Sequence, residues 1–244
     1  IREGDDAILE FFKAQSPQTP RGVLAHAGAL IRADRLGEAQ ARLGLAWRTM
    51  PMDSISQALF LADHGELLKP HHAARLDEML WQRNHVDAQR MFDLVSDADK
   101  ALAEVRMALQ KREGDVNAMI DALPASKASD PGLQADRFEW RIRKGFQDSA
   151  KELILSQSVS ATALGHPSAW SNRRRALARD EMRNGDPARA YKIASRHFLE
   201  SGSDFADLEW LSGYIALRFL KDPELALTHF QAHWQRNAEM YHLT

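Results

Sequence analysis

The chain has 244 residues, of which 44% are hydrophobic and 27% charged, and it contains 13 glycines, 9 prolines and no cysteine. This composition indicates a globular protein with a sizeable core, and the lack of cysteine excludes disulfides, thiol nucleophiles and thiolate metal sites. The net charge of −2 argues against a protein that binds nucleic acid mainly through phosphates, because such a protein needs a large basic excess.

The sequence gives one expectation about membrane insertion and one about processing. No run of about 20 apolar residues is present, so we expect no membrane span. Because the chain opens at Ile1 rather than at Met, we expect a mature or trimmed segment whose compartment signal has been removed.

Fourteen helices are predicted from apolar residues at helical spacing and from the scarcity of glycine and proline. No run alternates apolar and polar residues at the period of a strand. Longer loops are expected at 123–130, 157–167 and 200–204, where Ser, Gly and Pro accumulate. The helices are predicted near residues 5–15, 21–33, 37–49, 53–63, 71–83, 86–94, 98–112, 115–122, 131–144, 148–156, 168–183, 187–199, 205–220 and 223–236.

The clearest helix starts share an Asp-Pro pair. Asp186-Pro187 recurs as Asp222-Pro223, 36 positions later, and Asp130-Pro131 is a third case. An aspartate can cap the free amides of a new helix, and proline suits its first position. Gly185 precedes the first of these pairs, and we expect it to end the preceding helix in a left-handed conformation.

A small residue follows each of five predicted turns, where it would let two helix backbones approach closely. The spacing of these positions ranges from 36 to 62 residues, and the shortest spacings are close to the 34-residue tetratricopeptide repeat. We therefore predict an all-α superhelix of antiparallel helical pairs, TPR-like and curved or ring-forming, as a single domain over residues 1–244. The five residues are Ala39, Ala88, Ala150, Ala190 and Ala226.

The predicted helix 205–220 is apolar on two sides, which favours burial by neighbours on both flanks. The six tryptophans are spread through the chain, and we expect them to pack between helices, with stacking on sugar rings by one or two as the alternative. The two sides of the helix are Leu208, Leu211 and Ile215, and Trp210, Tyr214 and Leu217; the other tryptophans are Trp47, Trp81, Trp140, Trp170 and Trp234.

Two pairs of histidines are candidate metal ligands. His229 and His233 have the spacing of an HExxH zinc site, but the residues between them lack its glutamate. His71 and His72 are adjacent and so point to different faces of a helix. We favour ordinary packing or surface positions for all four, and we assign no metal and no cofactor.

The basic run Arg173-Arg174-Arg175, with Arg179 and Arg183, allows two interpretations. It could be a stripe for an anionic partner, but we favour a solvated helix face paired to Asp180 and Glu181. The chain has no glycine-rich phosphate loop and no G-x-S-x-G elbow, so no catalytic residue is assigned.

Several stretches together resemble one family. They are the arginine-rich helix before Gly185-Asp186-Pro187, Ala190-Tyr191, the loop Ser201-Gly202-Ser203 and above all Glu209 to Arg218, with Arg75 to Trp81, Ala88 and Asp99 to Arg106 upstream. Over most of residues 70–234 the chain is similar to the N-terminal helical domain of the soluble lytic murein transglycosylases.

This resemblance implies a bacterial periplasmic protein whose helical pairs curl into a U or ring. In the family, a separate lysozyme-like domain cleaves the MurNAc–GlcNAc bond of peptidoglycan to 1,6-anhydro products, using one glutamate in a Glu-Ser-x-Phe-x-Pro context. Glu200-Ser201 is the only Glu-Ser pair here, and it lacks the proline, so Glu200 receives no catalytic role. The resemblance places the catalytic domain beyond Thr244.

The predicted function is thus a non-catalytic scaffold, inactive alone, whose partners are peptidoglycan glycan strands and cell-wall proteins. A stand-alone TPR-like protein-interaction scaffold is the alternative, and a self-sufficient enzyme of unfamiliar type is a third hypothesis.

Overall fold

The computed structural model describes the backbone of residues 4–241 and the side chains of residues 4–235. Every regular element in this part of the chain is a helix, which confirms the all-α prediction. The α-helices are α1 (Asp5–Ala14), α2 (Pro20–Arg32), α3 (Leu36–Thr49), α4 (Ser54–Leu68), α5 (His72–Trp81), α6 (His85–Gln89), α7 (Asp97–Lys111), α8 (Val116–Asp121), α9 (Pro131–Arg143), α10 (Gln147–Gln157), α11 (Ala161–Leu164), α12 (Ser168–Asn184), α13 (Pro187–Ser195), α14 (Gly202–Ile215) and α15 (Pro223–Tyr241).

The helices form two compact units. The N-terminal unit comprises Ile1–Lys111 and Asp115–Lys127, and the C-terminal unit comprises Arg112–Gly114 and Ala128–Thr244. Within each unit consecutive helices pack against each other, α2 on α3 in the first and α12 on α13 and α14 on α15 in the second. The single domain over residues 1–244 and its curved or ring-forming shape stay predictions. Between residues 4 and 241, no helix has the length and apolar character needed to cross a membrane.

In the N-terminal unit, the buried arginine Arg75 forms hydrogen bonds with the carboxyl end of α3. Arg75 of α5 is 0% exposed, and its guanidinium lies 4.7 Å from the centre of the Trp47 ring. It donates to the carbonyl oxygens of Trp47 and of Met50, the latter at 2.8 Å. These carbonyls lie at the carboxyl end of α3, where the last carbonyl groups of a helix have no backbone amide within the helix to accept from. Arg75 therefore caps α3 from the side.

The C-terminal unit uses a second buried arginine in a similar way. Arg174 of α12 is 0% exposed and donates to the carbonyl of Ile193, near the end of α13, at 2.7 Å, and to the hydroxyl of Ser158, which follows α10, at 2.8 Å. Burial lowers the pKa of Arg174 to about 9. Neither hydrogen-bond partner is a carboxylate, so Arg174 stabilises helix ends rather than forming an ion pair.

The predicted Asp-Pro helix starts are confirmed. A side-chain oxygen of Asp130 accepts from the amide of Leu133 at 2.8 Å, Asp186 accepts from Ala188 at 2.8 Å, and Asp222 accepts from Leu225 at 2.9 Å.

The five small residues after the turns are also buried as expected. Ala39, Ala88, Ala150 and Ala190 are 0% exposed, and Ala226 is 1% exposed. Each lies where its helix meets a neighbour, so the helix-pair interpretation of these positions holds.

The expectation for Gly185 is wrong, because its backbone is not left-handed but has φ −131° and ψ −134°. The position is nevertheless restricted, since a Cβ there would lie 2.7 Å from a carboxylate oxygen of Glu181. At the later junction Lys221, at φ 58°, takes the left-handed conformation without a glycine.

Some helix boundaries differ from the prediction. The helix predicted at 53–63 continues to Leu68 through a kink at His64 (φ −139°, ψ 19°), and the one predicted at 187–199 ends at Ser195. The predicted loops 123–130 and 157–167 contain a 3₁₀ turn, Ala125–Lys127, and α11.

The burial predicted for both sides of residues 205–220 is half wrong. Leu208, Leu211 and Ile215 are buried, whereas Trp210 is 46% and Leu217 is 43% exposed. The described residues therefore leave an apolar surface facing outward, formed by Trp210 of α14 and by Leu217 in the helical turn Ala216–Leu220 that follows it.

Candidate functional site

Four polar residues form a hydrogen-bonded chain inside the C-terminal unit, here called the Glu209 network: Tyr191, His197, Glu209 and His229. Oε1 of Glu209 lies 2.8 Å from Nε2 of His197, and Oε2 lies 2.7 Å from Nδ1 of His229. Nε2 of His229 lies 2.8 Å from the hydroxyl of Tyr191. The network therefore joins α13, α14, α15 and the segment between α13 and α14.

The local structure explains how these side chains meet. Because α13 ends at Ser195, His197 lies in non-helical chain and can turn toward α14. Glu209 lies on the side of α14 that faces α15, where Gly213 contacts Phe230 one turn later. The two helices run antiparallel, since Ala206 of α14 lies against His233 of α15, and Glu209, three residues later, lies against His229, four residues earlier.

The hydrogen-bond partners fix the protons of the network. Nδ1 of His197 accepts from the backbone amide of Leu199 at 3.0 Å, so the ring proton is on Nε2, which donates to Glu209. His197 is therefore a neutral imidazole. Nδ1 of His229 donates to the other carboxylate oxygen, because an ionised carboxylate can only accept.

The network favours an ionised glutamate. Burial raises the pKa of Glu209, but the hydrogen bonds from His197 and His229 outweigh this effect, and the pKa falls to about 2. Burial is also the main cause of the raised pKa of Tyr191, and the charge of Glu209 acts in the same direction. At neutral pH the network thus holds a carboxylate and a protonated phenol.

The order hydroxyl, imidazole, carboxylate is that of an activated nucleophile with its base and orienting group. Here, however, each carboxylate oxygen has a histidine partner, and Glu209 is only 8% and His197 only 3% exposed. With its central groups enclosed in this way, the network is suited to holding helices together.

The histidines considered as metal ligands have other roles. His229 uses both ring nitrogens within the network, and Nδ1 of His233 lies 2.9 Å from the carbonyl oxygen of Ala206. His72 is 8% exposed and packs its ring against Trp47 at 5.5 Å. No group of three or more potential ligands among the described residues could hold a metal ion.

The basic run on α12 is a solvated face only in part, since Arg179 and Arg183 are exposed whereas Arg174 is buried. Arg173 binds Glu139 through two hydrogen bonds, Arg174 is buried, and Arg175 pairs with Asp204 and Asp207. Successive residues on a helix point about 100° apart, so these three arginines reach three different neighbours. The expected partners Asp180 and Glu181 instead bind Lys151, at 2.9 and 2.7 Å.

The tryptophans differ in exposure, and Trp81 and Trp140 are half-buried. Trp47 and Trp170 are fully buried, and Trp170 stacks on Phe138 at 4.8 Å, so packing between helices is confirmed for both. Trp210 and Trp234 are 46% and 73% exposed. Trp210 stacks on Tyr214, with ring centres 5.4 Å apart and planes at 10°.

The sequence did not identify the Glu209 network as a unit. In the sequence, Glu209 stands out only within the family-like stretch, and His229 only for its spacing to His233. The available signal was polar residues on helix faces that are otherwise apolar, which is costly unless they find partners. Glu200, the residue of the only Glu-Ser pair, is exposed and lies outside the network.

The family-like stretch Glu209 to Arg218 contributes to packing in the C-terminal unit: Glu209 binds two histidines, Ser212 is 0% exposed, and Gly213 contacts Phe230. No protein family, curated protein or solved structure matches this chain.

Proposed function

We propose that this chain is a non-catalytic helical scaffold, and specifically the helical domain of a periplasmic lytic transglycosylase that acts on peptidoglycan. Two kinds of support exist for this proposal. The resemblance of residues 70–234 supplies the family, and the all-α architecture of packed helix pairs agrees with a scaffold.

One observation carries the scaffold part of the proposal. The titratable groups that look most like a catalytic set, those of the Glu209 network, are bound to one another across three helices. A general acid or nucleophile needs a face that substrate can reach, whereas a structural network needs every polar atom to be satisfied. The geometry of Glu209 meets the second requirement.

A digestion experiment tests whether the chain is catalytic. The purified protein is incubated with peptidoglycan sacculi, and the supernatant is analysed by chromatography and mass spectrometry. We expect it to contain no 1,6-anhydro muropeptides. Glu200→Gln serves as the matched variant, because Glu200 is the only residue with a partial match to the family's catalytic context. If the wild type releases these products and the Glu200→Gln variant does not, the chain is an enzyme.

The family assignment has its own test. We expect the encoding gene to continue past Thr244 into a segment with the Glu-Ser-x-Phe-x-Pro pattern. We also expect the purified chain to sediment with sacculi, since peptidoglycan strands are its proposed partners. A gene that ends near Thr244, together with no sedimentation, would favour the second candidate.

That second candidate is a stand-alone TPR-like scaffold for proteins. The observation that favours it is the outward apolar surface formed by Trp210 of α14 and Leu217 of the helical turn Ala216–Leu220, which are 46% and 43% exposed. Aromatic and aliphatic side chains exposed in this way are typical of protein contact surfaces.

A further inference from the structure

A cavity of about 460 Å³ lies in the N-terminal unit among α1, α2 and the start of α3. Its volume falls within the roughly 300–1,000 Å³ typical of small-molecule sites. Part of its wall is apolar and aromatic, since Leu9 and Phe12 of α1 line it and Phe12 stacks on His26 of α2 at 5.0 Å. A flat apolar group can pack against this part of the wall.

The charged residues of the wall are largely paired. Lys13 lies 3.4 Å from Glu10, and Arg35 binds Glu38, beside the cavity, through two hydrogen bonds of 2.7 Å each. The two charged lining residues that remain are Asp6 of α1 and Arg42 of α3. Neither makes an ion pair with any residue in the part of the chain that the structure describes.

A buried histidine adds a second sign of a formed site. His26 is 4% exposed, and its Nδ1 has no hydrogen-bond partner among the described residues. Its pKa is lowered by burial and then by the charges of Arg42 and Arg35, while the charge of Glu38 acts in the opposite direction. The balance favours the neutral imidazole, and its Nδ1 can form a hydrogen bond with a ligand in the cavity.

The position of α1, which carries most of the wall, is fixed by a buried contact. Asp5 is 3% exposed and accepts two hydrogen bonds from Arg32 of α2, at 2.8 and 2.7 Å. A bidentate pair of this kind sets both distance and orientation. The cavity is therefore preformed, which reduces the ordering that a ligand must cause.

We propose that this cavity binds a small zwitterion, an amino acid or dipeptide with an apolar side chain, whose carboxylate pairs with Arg42 and whose ammonium group pairs with Asp6. The apolar side chain packs on Phe12 and Leu9. A ligand with a single charge would satisfy only one of the two unpaired wall charges, so the arrangement selects for both. This inference goes beyond the proposed function and concerns the other unit of the chain.

Two zwitterions and two matched analogues test the charge requirement on the unmodified protein. L-phenylalanine and L-leucine are titrated by isothermal calorimetry, beside 3-phenylpropionate, which lacks the ammonium group, and phenethylamine, which lacks the carboxylate. We expect at least one amino acid to bind, and each analogue to bind about tenfold more weakly than L-phenylalanine, since a charged hydrogen bond contributes roughly 1.5–3 kcal/mol and 1.4 kcal/mol is tenfold. No binding of either amino acid at millimolar concentration, or equal binding of the analogues, would overturn the proposal.

Two substitutions assign the charges to their partners. Arg42→Gln should reduce the affinity for L-phenylalanine about tenfold and leave the affinity for phenethylamine, which has no carboxylate, unchanged. Asp6→Asn should also reduce the affinity for L-phenylalanine about tenfold, but it should leave the affinity for 3-phenylpropionate, which has no ammonium group, unchanged. Arg21→Gln and Asp63→Asn, at exposed positions that do not line the cavity, are the controls and should change neither affinity. Circular dichroism checks that all variants fold. If folded Arg42→Gln and Asp6→Asn bind L-phenylalanine as the wild type does, the charges are not used.

Discussion

Glu209→Gln tests the Glu209 network through its stability. Glutamine copies the shape of a protonated glutamate but carries no charge, so the variant should lose what the folded protein gains from ionising this residue. The pKa moves from 4.5 to about 2 on folding, and each pKa unit corresponds to 1.36 kcal/mol. The free energy of unfolding should therefore fall by about 3 kcal/mol at pH 7.

The effect should depend on pH with a definite sign. Because the folded pKa of Glu209 is below its ordinary value of 4.5, the stabilisation is complete above pH 4.5 and is lost as the pH falls toward about 2. The difference between wild type and Glu209→Gln should thus shrink over this interval. His197 should keep its hydrogen bond in the variant, since glutamine still offers one acceptor oxygen.

Urea denaturation at pH 7, 5, 4 and 3, followed by circular dichroism, gives the required free energies. Hydrogen–deuterium exchange of peptides from α13 to α15 reports on the C-terminal unit alone. Glu200→Gln is the matched control, because Glu200 is exposed and outside the network, and it should change stability by less than about 0.5 kcal/mol. A loss at pH 7 no larger than that of the control, or a loss that does not shrink in acid, would refute the reasoning.

Four further substitutions test packing and capping, each by urea denaturation. Gly213→Ala should destabilise by about 1–3 kcal/mol, because its Cβ would lie 2.6 Å from the Phe230 ring. Gly37→Ala, where a Cβ meets nothing within 4 Å, should instead stabilise α3 by about 0.4–1 kcal/mol; equal effects would show that α14 can move away from α15. Asp222→Ala should cost about 1 kcal/mol by removing the cap of α15, and an unchanged midpoint would contradict that role. Ala190→Leu should cost about 1–3 kcal/mol by overpacking the contact of α12 with α13, and a neutral result would mean that the contact has spare room.

The features that the sequence predicted well are set by neighbouring residues. The cap of Asp186 depends on a proline and amides within three positions, and the burial of Ala190 depends on its place just after a turn. Such signals are readable because the residues that interact are close together in the chain. The all-α class follows from many such local signals in agreement.

The Glu209 network could not be predicted in the same way. Glu209 meets His197, 12 residues earlier, and His229, 20 residues later, only after three helices have packed. The arginines of α12 show a related limit, since Arg174 is buried while its neighbours Arg173 and Arg175 form ion pairs. A run of arginines is compatible with a helix, but it does not show which neighbour each arginine side chain will contact.

The tryptophans differ in exposure, with Trp81 and Trp140 half-buried between the buried and the exposed ones, so the intrinsic fluorescence of the protein samples several environments. Trp47 and Trp170, one in each unit, are shielded and should emit at short wavelength without being quenched by acrylamide. Trp210 and Trp234, on α14 and α15, meet solvent and should emit at longer wavelength and be quenched. A molecule that covers Trp210 on α14 should therefore shift the tryptophan emission to shorter wavelength, so its binding can be followed without a label.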